Sequence, residues 1–320
     1  MILTSKKEKC LIMCLTPLQM IIARKIIELN PDKDFDLLAI TSNDNVKYRV
    51  YYKELKKLCK NSLYYIPKKG LIGFFHFIKE LKVGKINNNY KCIYLASIDS
   101  RNCQYIISKN DLANIYTFDD GLANIISQDV YYSNDTPTNW KKVIWRFIGI
   151  KYYIKDIRDK SLLHYTIYEG LPNITEKTHL IRLYENYESK PVITNKTVSI
   201  YIGQPLEEIS DIFTTEYIEK ILQKLNIDFY YPHPREGIIA KGDFDIINSE
   251  LVFEDYIIKY LQQNPNLKVR VYSFISSAGL NLFSLNRIEV SYIYDKELYY
   301  KYKDFYDIIN SKFNIDLVKI

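Results

Sequence analysis

The segment Tyr230-Tyr231-Pro232-His233-Pro234-Arg235-Glu236 carries the residue types best suited to chemistry at a phosphate, and Ser276-Ser277-Ala278 follows it. An imidazole donates a proton to a leaving oxygen or stabilises charge developing on it. Arg235 adds a permanent positive charge, and Glu236 is placed to orient either neighbour. Pro232 and Pro234 fix the loop and prevent it from continuing as a helix. Ser276 and Ser277 offer hydroxyls, and the N–H groups of the helix they open would complete an anion site without a glycine-rich loop. Each segment also has a plain reading, His233 as a loop histidine bonded to backbone and Ser276 as a helix cap. What favours a site is their common setting. Both follow apolar runs that read as buried strands, Ile227–Tyr231 and Lys268–Ile275, and parallel sheets bind ligands at the carboxyl ends of their strands.

A second constellation is Tyr116-Thr117-Phe118-Asp119-Asp120-Gly121. Paired carboxylates on a glycine turn can hold a metal or act as a base, or merely cap the next helix. Thr117–Gly121 also resembles the metal-binding motif of polysaccharide deacetylases. Those enzymes need two further histidines, and His76, His164, His179 and His233 show no such spacing. That departure counts against the deacetylase reading.

Elements must hold these residues. Apolar runs at Cys10–Leu15, Phe35–Ile40, Leu63–Ile66, Tyr90–Ala96 and Ala113–Phe118 read as strands. They alternate with helical stretches from Thr16-Pro17 to Leu29 and over Val46–Lys60, Leu71–Lys82 and Asn102–Lys109. Such alternation predicts a parallel α/β sheet. From Tyr131 to about Pro191 the rhythm breaks, as for an insertion and a linker. It resumes with Thr197–Gly203, a helix over Asp211–Leu225, the strand Ile227–Tyr231 and a short run at Glu250–Phe253. The helix Glu254–Gln263, the strand Lys268–Ile275, the helix Ser277–Ser284, the strand Arg287–Tyr292 and a last helix over Lys296–Phe313 follow. The expected architecture is two Rossmann-like domains, 1–190 and 191–320, facing a central cleft.

With 320 residues, 47% of them hydrophobic, the chain is long enough for two globular domains. A net charge of +6 suits anionic small molecules or acidic lipid surfaces and does not require nucleic acid. Five cysteines, odd in number and without a Cys-x-x-Cys pair, read as reduced thiols in the cytoplasm. No run approaches the ~18 apolar residues of a membrane span, and Cys10–Leu15 is too short for a signal peptide. Trp140–Arg158 holds six basic residues and one acid, Asp156, with Trp140, Ile144, Phe147 and Ile148 on one helical face. It reads either as a helix for an anionic membrane surface or as ordinary packing.

Four segments in this order carry a resemblance: Cys14-Leu15-Thr16-Pro17-Leu18-Gln19, Thr117–Gly121, Tyr231–Glu236 and Ser276–Ala278. The chain resembles bacterial sialyltransferases, most of all glycosyltransferase family 52, over nearly its full length. The resemblance implies a GT-B fold and metal-independent, inverting transfer of sialic acid from CMP-N-acetylneuraminic acid to a terminal galactose of a cell-surface or lipid-linked glycan, with α2,3 linkage expected. It gives His233 the role of general acid or charge stabiliser. It assigns the donor to Gly203, Gln204, Pro234, Arg235, Glu254, Ser276 and Ser277 in the second domain, with the acceptor on the first. A carboxylate such as Glu254 suits the vicinal hydroxyls of a ribose. For the base it favours Asp211, about twenty residues before the histidine. Asp119 and Asp120 stand as alternatives, and a helix-start carboxylate is the plain reading of Asp211. No cofactor, metal or nucleic-acid partner is expected. A cytoplasmic location with peripheral inner-membrane contact, and a homodimer, complete the expectations. Another nucleotide sugar as donor, or a binding module without turnover, are the rival readings.

Overall fold

The computed structural model describes residues 7–86, 89–127, 129–133, 138–184, 187, 196–237 and 239–320. The chain divides into two compact units, Met1–Leu183 and Tyr184–Ile320. In the first, the described strands are β1 (Glu8–Cys14), β2 (Lys33–Ile40), β3 (Ser62–Tyr65), β4 (Cys92–Leu95), β5 (Asn114–Phe118), β6 (Ser161–Thr166) and β7 (Thr178–Leu180). They form one parallel sheet in the order β3-β2-β1-β4-β5-β6-β7. Helices α1 (Pro17–Leu29), α2 (Val46–Lys56), α3 (Gly70–Val83), α4 (Arg101–Lys109), α5 (Asn139–Ile148) and α6 (Ile154–Lys160) connect them. Strand β4 is buried along its length and β1 from Cys10 to Cys14, as expected for a sheet covered by helices on both faces. Leu11, Leu38, Phe77, Ile93 and Leu95 belong to one such core. Cys10, Cys14, Cys92 and Cys103 are buried and all five thiols are free.

The second unit repeats the scheme with β8 (Thr197–Ile202), β9 (Phe229–Tyr231), β10 (Asp245–Ile246), β11 (Lys268–Ser273), β12 (Ile288–Tyr294) and β13 (Asp316–Lys319). Their order is β10-β9-β8-β11-β12-β13, again parallel. The helices are α7 (Thr215–Lys224), α8 (Phe253–Gln263), α9 (Ser277–Leu280), α10 (Lys296–Lys301) and α11 (Lys303–Phe313). In each sheet the strand order reverses direction once, between β1 and β4 and between β8 and β11. Ligands of open α/β sheets bind outside the carboxyl ends at such switch points.

Several expectations need correction. The region after Tyr131 is not only insertion and linker, because it contributes β6 and β7 to the first sheet. Its strand pattern is hidden because β6 points Ser161, His164 and Thr166 inwards, where polar partners satisfy them. The run Glu250–Phe253 is no strand; the edge position belongs to Asp245–Ile246. The helix expected from Asp211 begins at Thr215 instead. Thr214 is the N-cap and accepts from Tyr217 N at 3.3 Å, while Phe213 is drawn into the core. The helix after Ser276 stops at Leu280, and the last helix breaks at Tyr302 before a strand that the periodicity did not show.

Candidate active site

In the second unit, three loops leave the carboxyl ends of β8, β9 and β11, and side chains bind them to one another. Gln204, just after β8, spans the switch point: its Oε1 accepts from Phe274 N at 2.9 Å and Ile275 N at 2.8 Å. Its Nε2 donates to the Ile275 carbonyl. Glu236, at the end of the loop after β9, spans the other way. Its Oε1 accepts from Tyr230 Oη at 2.5 Å and Gln204 N at 3.2 Å, and its Oε2 accepts from His233 N at 3.1 Å. This carboxylate packs against Gly203 so closely that a Cβ there would lie 2.2 Å from Oε2 and 2.9 Å from Tyr230 Cε1. Only glycine admits the contact. Burial pushes the Glu236 carboxyl above its ordinary value, and the hydrogen bonds from Tyr230, His233 and Gln204 oppose the shift.

These braces set the chemistry of His233. A tight turn, with Glu236 N donating to His233 O at 3.0 Å, holds the Pro-His-Pro-Arg loop. The Arg235 N–H donates to His233 Nδ1 at 3.1 Å. A ring nitrogen that accepts carries no proton, so the neutral imidazole has its proton on Nε2. Glu236 therefore orients the loop through the backbone, and the Arg235 amide selects the tautomer. The Arg235 guanidinium is exposed and 3.5 Å from Glu208.

On the third loop, Ser276 is the N-cap of α9, its Oγ accepting from Ala278 N at 3.2 Å. That cap leaves the hydroxyl's own hydrogen to be donated elsewhere. Ser277 is the first residue of the helix and half-buried. Tyr292 Oη donates to the Ser276 carbonyl at 2.6 Å, which ties the loop to β12. Glu254, in the first turn of α8, is buried and accepts from Asn281 Nδ2 at 2.9 Å. Pro234 is exposed at the loop tip.

Asp211 lies on an exposed turn four residues before α7, not at a helix start, so the helix-dipole reading of it falls away. It lines a cavity of about 310 Å³ together with Tyr201, Gln204, Phe213, Tyr230 and Glu236. No local pattern marks Tyr201, whose hydroxyl is buried there without a hydrogen-bond partner and is pushed up by burial and by Glu236.

The Asp-Asp pair of the first unit splits into two roles. Asp119 is 0% exposed. It accepts from His164 Nε2 at 2.8 Å, Thr166 Oγ1 at 2.7 Å, Ile167 N at 2.7 Å and Asn173 Nδ2 at 3.1 Å. A carboxylate so enclosed cannot meet an incoming hydroxyl, so Asp119 is removed as a base and locks β5 to β6. His164 is also bonded to Thr117 Oγ1 at 2.8 Å, which leaves neither ring nitrogen open to a metal. Asp120 is half-buried rather than enclosed. It accepts from Ser97 Oγ at 3.0 Å, Tyr131 Oη at 2.6 Å and Gln19 Nε2. Burial raises its carboxyl above the ordinary value, against those three hydrogen bonds, and Asp99 adds to the rise. Gly121 follows at φ +75°, a left-handed turn that favours glycine.

The Thr16-Pro17-Leu18-Gln19 motif now has a physical meaning. Thr16 caps α1 and Pro17 opens it. The Gln19 side chain accepts from Leu15 N at 2.6 Å and donates to Ser97 Oγ at 2.9 Å, crossing the β1/β4 switch point. A glutamine thus bridges the switch point of each sheet, Gln19 in one and Gln204 in the other. Among the described residues no group of three or more His, Cys, Asp or Glu is placed to hold a metal ion.

The profile of glycosyltransferase family 52 matches residues 33–297. A CMP-N-acetylneuraminate:β-galactoside α-2,3-sialyltransferase from Pasteurella multocida is 34% identical over 274 residues, covering 86% of this chain and 87% of that one. An N-acetyllactosaminide α-2,3-sialyltransferase from Haemophilus influenzae is 33% identical over 286 residues, covering 88% and 91%. Among solved structures, MurG from Acinetobacter baumannii superposes with a TM-score of 0.44 and 8% identity over 98% of this chain and 86% of that one.

Proposed function

The chain belongs to glycosyltransferase family 52, and we propose that it transfers sialic acid from CMP-sialic acid to a terminal galactose, with α2,3 linkage and inversion at the anomeric carbon. The observation that carries the mechanism is the Arg235 N–H on His233 Nδ1, which leaves Nε2 as the protonated nitrogen. In this reading Asp211 takes the proton of the galactose 3-hydroxyl as its oxygen attacks the anomeric carbon. The bond from that carbon to the CMP phosphate oxygen breaks, and His233 Nε2 delivers its proton to the departing phosphate. Ser276 and Ser277 donate to the phosphate with Arg235 nearby, so no divalent cation is invoked. Glu254 receives the ribose hydroxyls, Gly203, Gln204 and Pro234 shape the donor loop, and Met1–Leu183 supplies the acceptor side.

Supporting the donor is the identity of more than 30% with two α-2,3-sialyltransferases over most of the chain. Neither a different nucleotide sugar nor a module without turnover has a comparable observation behind it. No helix among the described residues is long and apolar enough to cross a membrane; the reading for location is cytoplasmic, with peripheral contact at the inner membrane. The test is incubation with CMP-sialic acid and lactose, with and without EDTA. Sialyllactose and CMP in equal amounts, α2,3-linked and insensitive to EDTA, are expected. No CMP release, or release indifferent to lactose, would overturn the transfer, and an absolute need for a divalent metal would overturn the metal-free mechanism.

A further inference from the structure

Helices α3 and α5 meet through an edge-to-face contact of Phe74 with Trp145 at 5.3 Å between ring centres. Their inner faces enter the core of the first unit: Phe74 and Phe77 are buried, and Trp145 and Ile148 pack against them. Ile148, expected on one face with Trp140 and Phe147, is instead half-buried against the core. The outer faces are apolar too. On α5, Trp140, Val143, Ile144 and Phe147, spaced i, i+3, i+4, i+7, are all exposed, Phe147 at 95%. On α3, Leu71, Ile72 and Phe75 are exposed, Ile72 at 87%. Isolated apolar residues on a surface need no explanation, but a set shared by two adjoining helices does.

The charges around this face carry one sign. Lys141 and Arg146 are exposed on α5, which has no acidic residue, whereas Lys142 turns to the buried Tyr153 ring, 5.7 Å from its centre; Lys68 and Lys69 lead into α3. The Lys141 ammonium sits 5.5 Å from the Trp140 ring centre, so cation and aromatic ring occupy one level of the surface. Glu80 falls on the later part of α3, facing His76 at 3.8 Å.

We propose that this α3–α5 face docks on the anionic surface of a lipid bilayer, with Phe147, Trp140, Ile72 and Phe75 entering the headgroup boundary and the lysines meeting lipid phosphates. Apolar side chains flanked by cations, with an aromatic ring between them, match the chemistry of that boundary. A second copy of the chain is a poorer occupant. A two-fold contact presents the same patch from both sides, so the cations Lys141 and Arg146 would meet a like-charged patch on the other copy. The inference rests on the peripheral location read above and names the surface responsible.

Both tryptophans of the chain, Trp140 and Trp145, lie on α5, so intrinsic fluorescence reports this helix directly. The full chain is titrated with vesicles of phosphatidylcholine alone and of phosphatidylcholine with phosphatidylglycerol, and flotation is read in parallel. A blue shift and flotation with the anionic vesicles only, weakened by salt, are expected. Phe147→Ser should weaken binding roughly ten-fold or more, and Lys141→Gln roughly five-fold. Absence of vesicle binding at low salt overturns the proposal, as does binding that both variants leave unchanged. So does a dimer in sedimentation that Phe147→Ser dissociates, which would make the face a contact between copies. Transfer to soluble lactose, measured on the same preparations, should not change. Active protein that ignores vesicles overturns the docking alone, whereas vesicle-bound protein that transfers nothing supports the docking and overturns the enzymatic reading.

Discussion

Replacing Glu236 by glutamine removes one acceptor and one charge and keeps the volume. The carboxylate uses both oxygens: Oε1 accepts from Tyr230 Oη and Gln204 N, and Oε2 accepts from His233 N. An amide has one acceptor oxygen, so one side must fail. The cheaper orientation keeps the carbonyl towards Tyr230 and Gln204 and turns the NH2 towards the His233 N–H, 3.1 Å away. Two donors then face each other, and the loop must move. A hydrogen bond to a charged group contributes about 1.5–3 kcal/mol. If that loss falls on the placement of the imidazole, kcat drops about 10- to 100-fold, since each ~1.4 kcal/mol is tenfold. KM for the donor should change little, because Gln204 still holds the Ser276 loop through Phe274 and Ile275. Steady-state CMP release at saturating lactose separates the two constants, and the thermal midpoint checks that the variant is folded. A folded Glu236→Gln enzyme with kcat within two-fold of wild type would refute the argument that this carboxylate positions His233.

Asp119→Ala should cost about 3–5 kcal/mol of stability, the usual range for breaking a buried pair, because His164 and three other donors lose their acceptor; chemical denaturation measures it, and a loss under ~1 kcal/mol contradicts the structural role. For Asp120, burial raises the folded carboxyl above its ordinary 3.8. The folded state then binds the proton more readily than the unfolded one. Wild type should therefore gain stability relative to Asp120→Asn as pH falls through the raised value, with the gain complete below 3.8; an opposite slope in paired pH titrations of unfolding would show the sign is wrong. Asp211→Asn should abolish most turnover while Asp120→Asn lowers acceptor affinity. If Asp211→Asn keeps its kcat and Asp120→Asn collapses, the base has been misplaced.

Much of the parallel α/β alternation was legible in the sequence because buried central strands such as Cys10–Cys14 are continuous apolar runs. The Pro-His-Pro and Ser-Ser segments stood out because prolines and hydroxyls interrupt such runs. What escaped has physical reasons. Strand β6 carries inward polar residues that only their partners make tolerable in a core. The start of α7 was misread because Asp211 is a good helix-start residue by type, yet Phe213 is worth more buried than exposed, and Thr214 supplies the cap. Gln19, Gln204 and Glu236 brace loops distant in sequence, and no local spacing encodes that. The Asp119–Asp120 pair could not be divided by sequence, since only the degree of burial distinguishes the enclosed structural carboxylate from the half-buried one.

The most direct test of the proposed chemistry is kcat for His233→Ala with CMP-sialic acid and lactose. The account predicts a fall of ~10²–10⁴-fold, the range for a general acid, while CMP affinity falls far less because the Ser276 loop is held by Gln204. Near-wild-type turnover in that variant would contradict it.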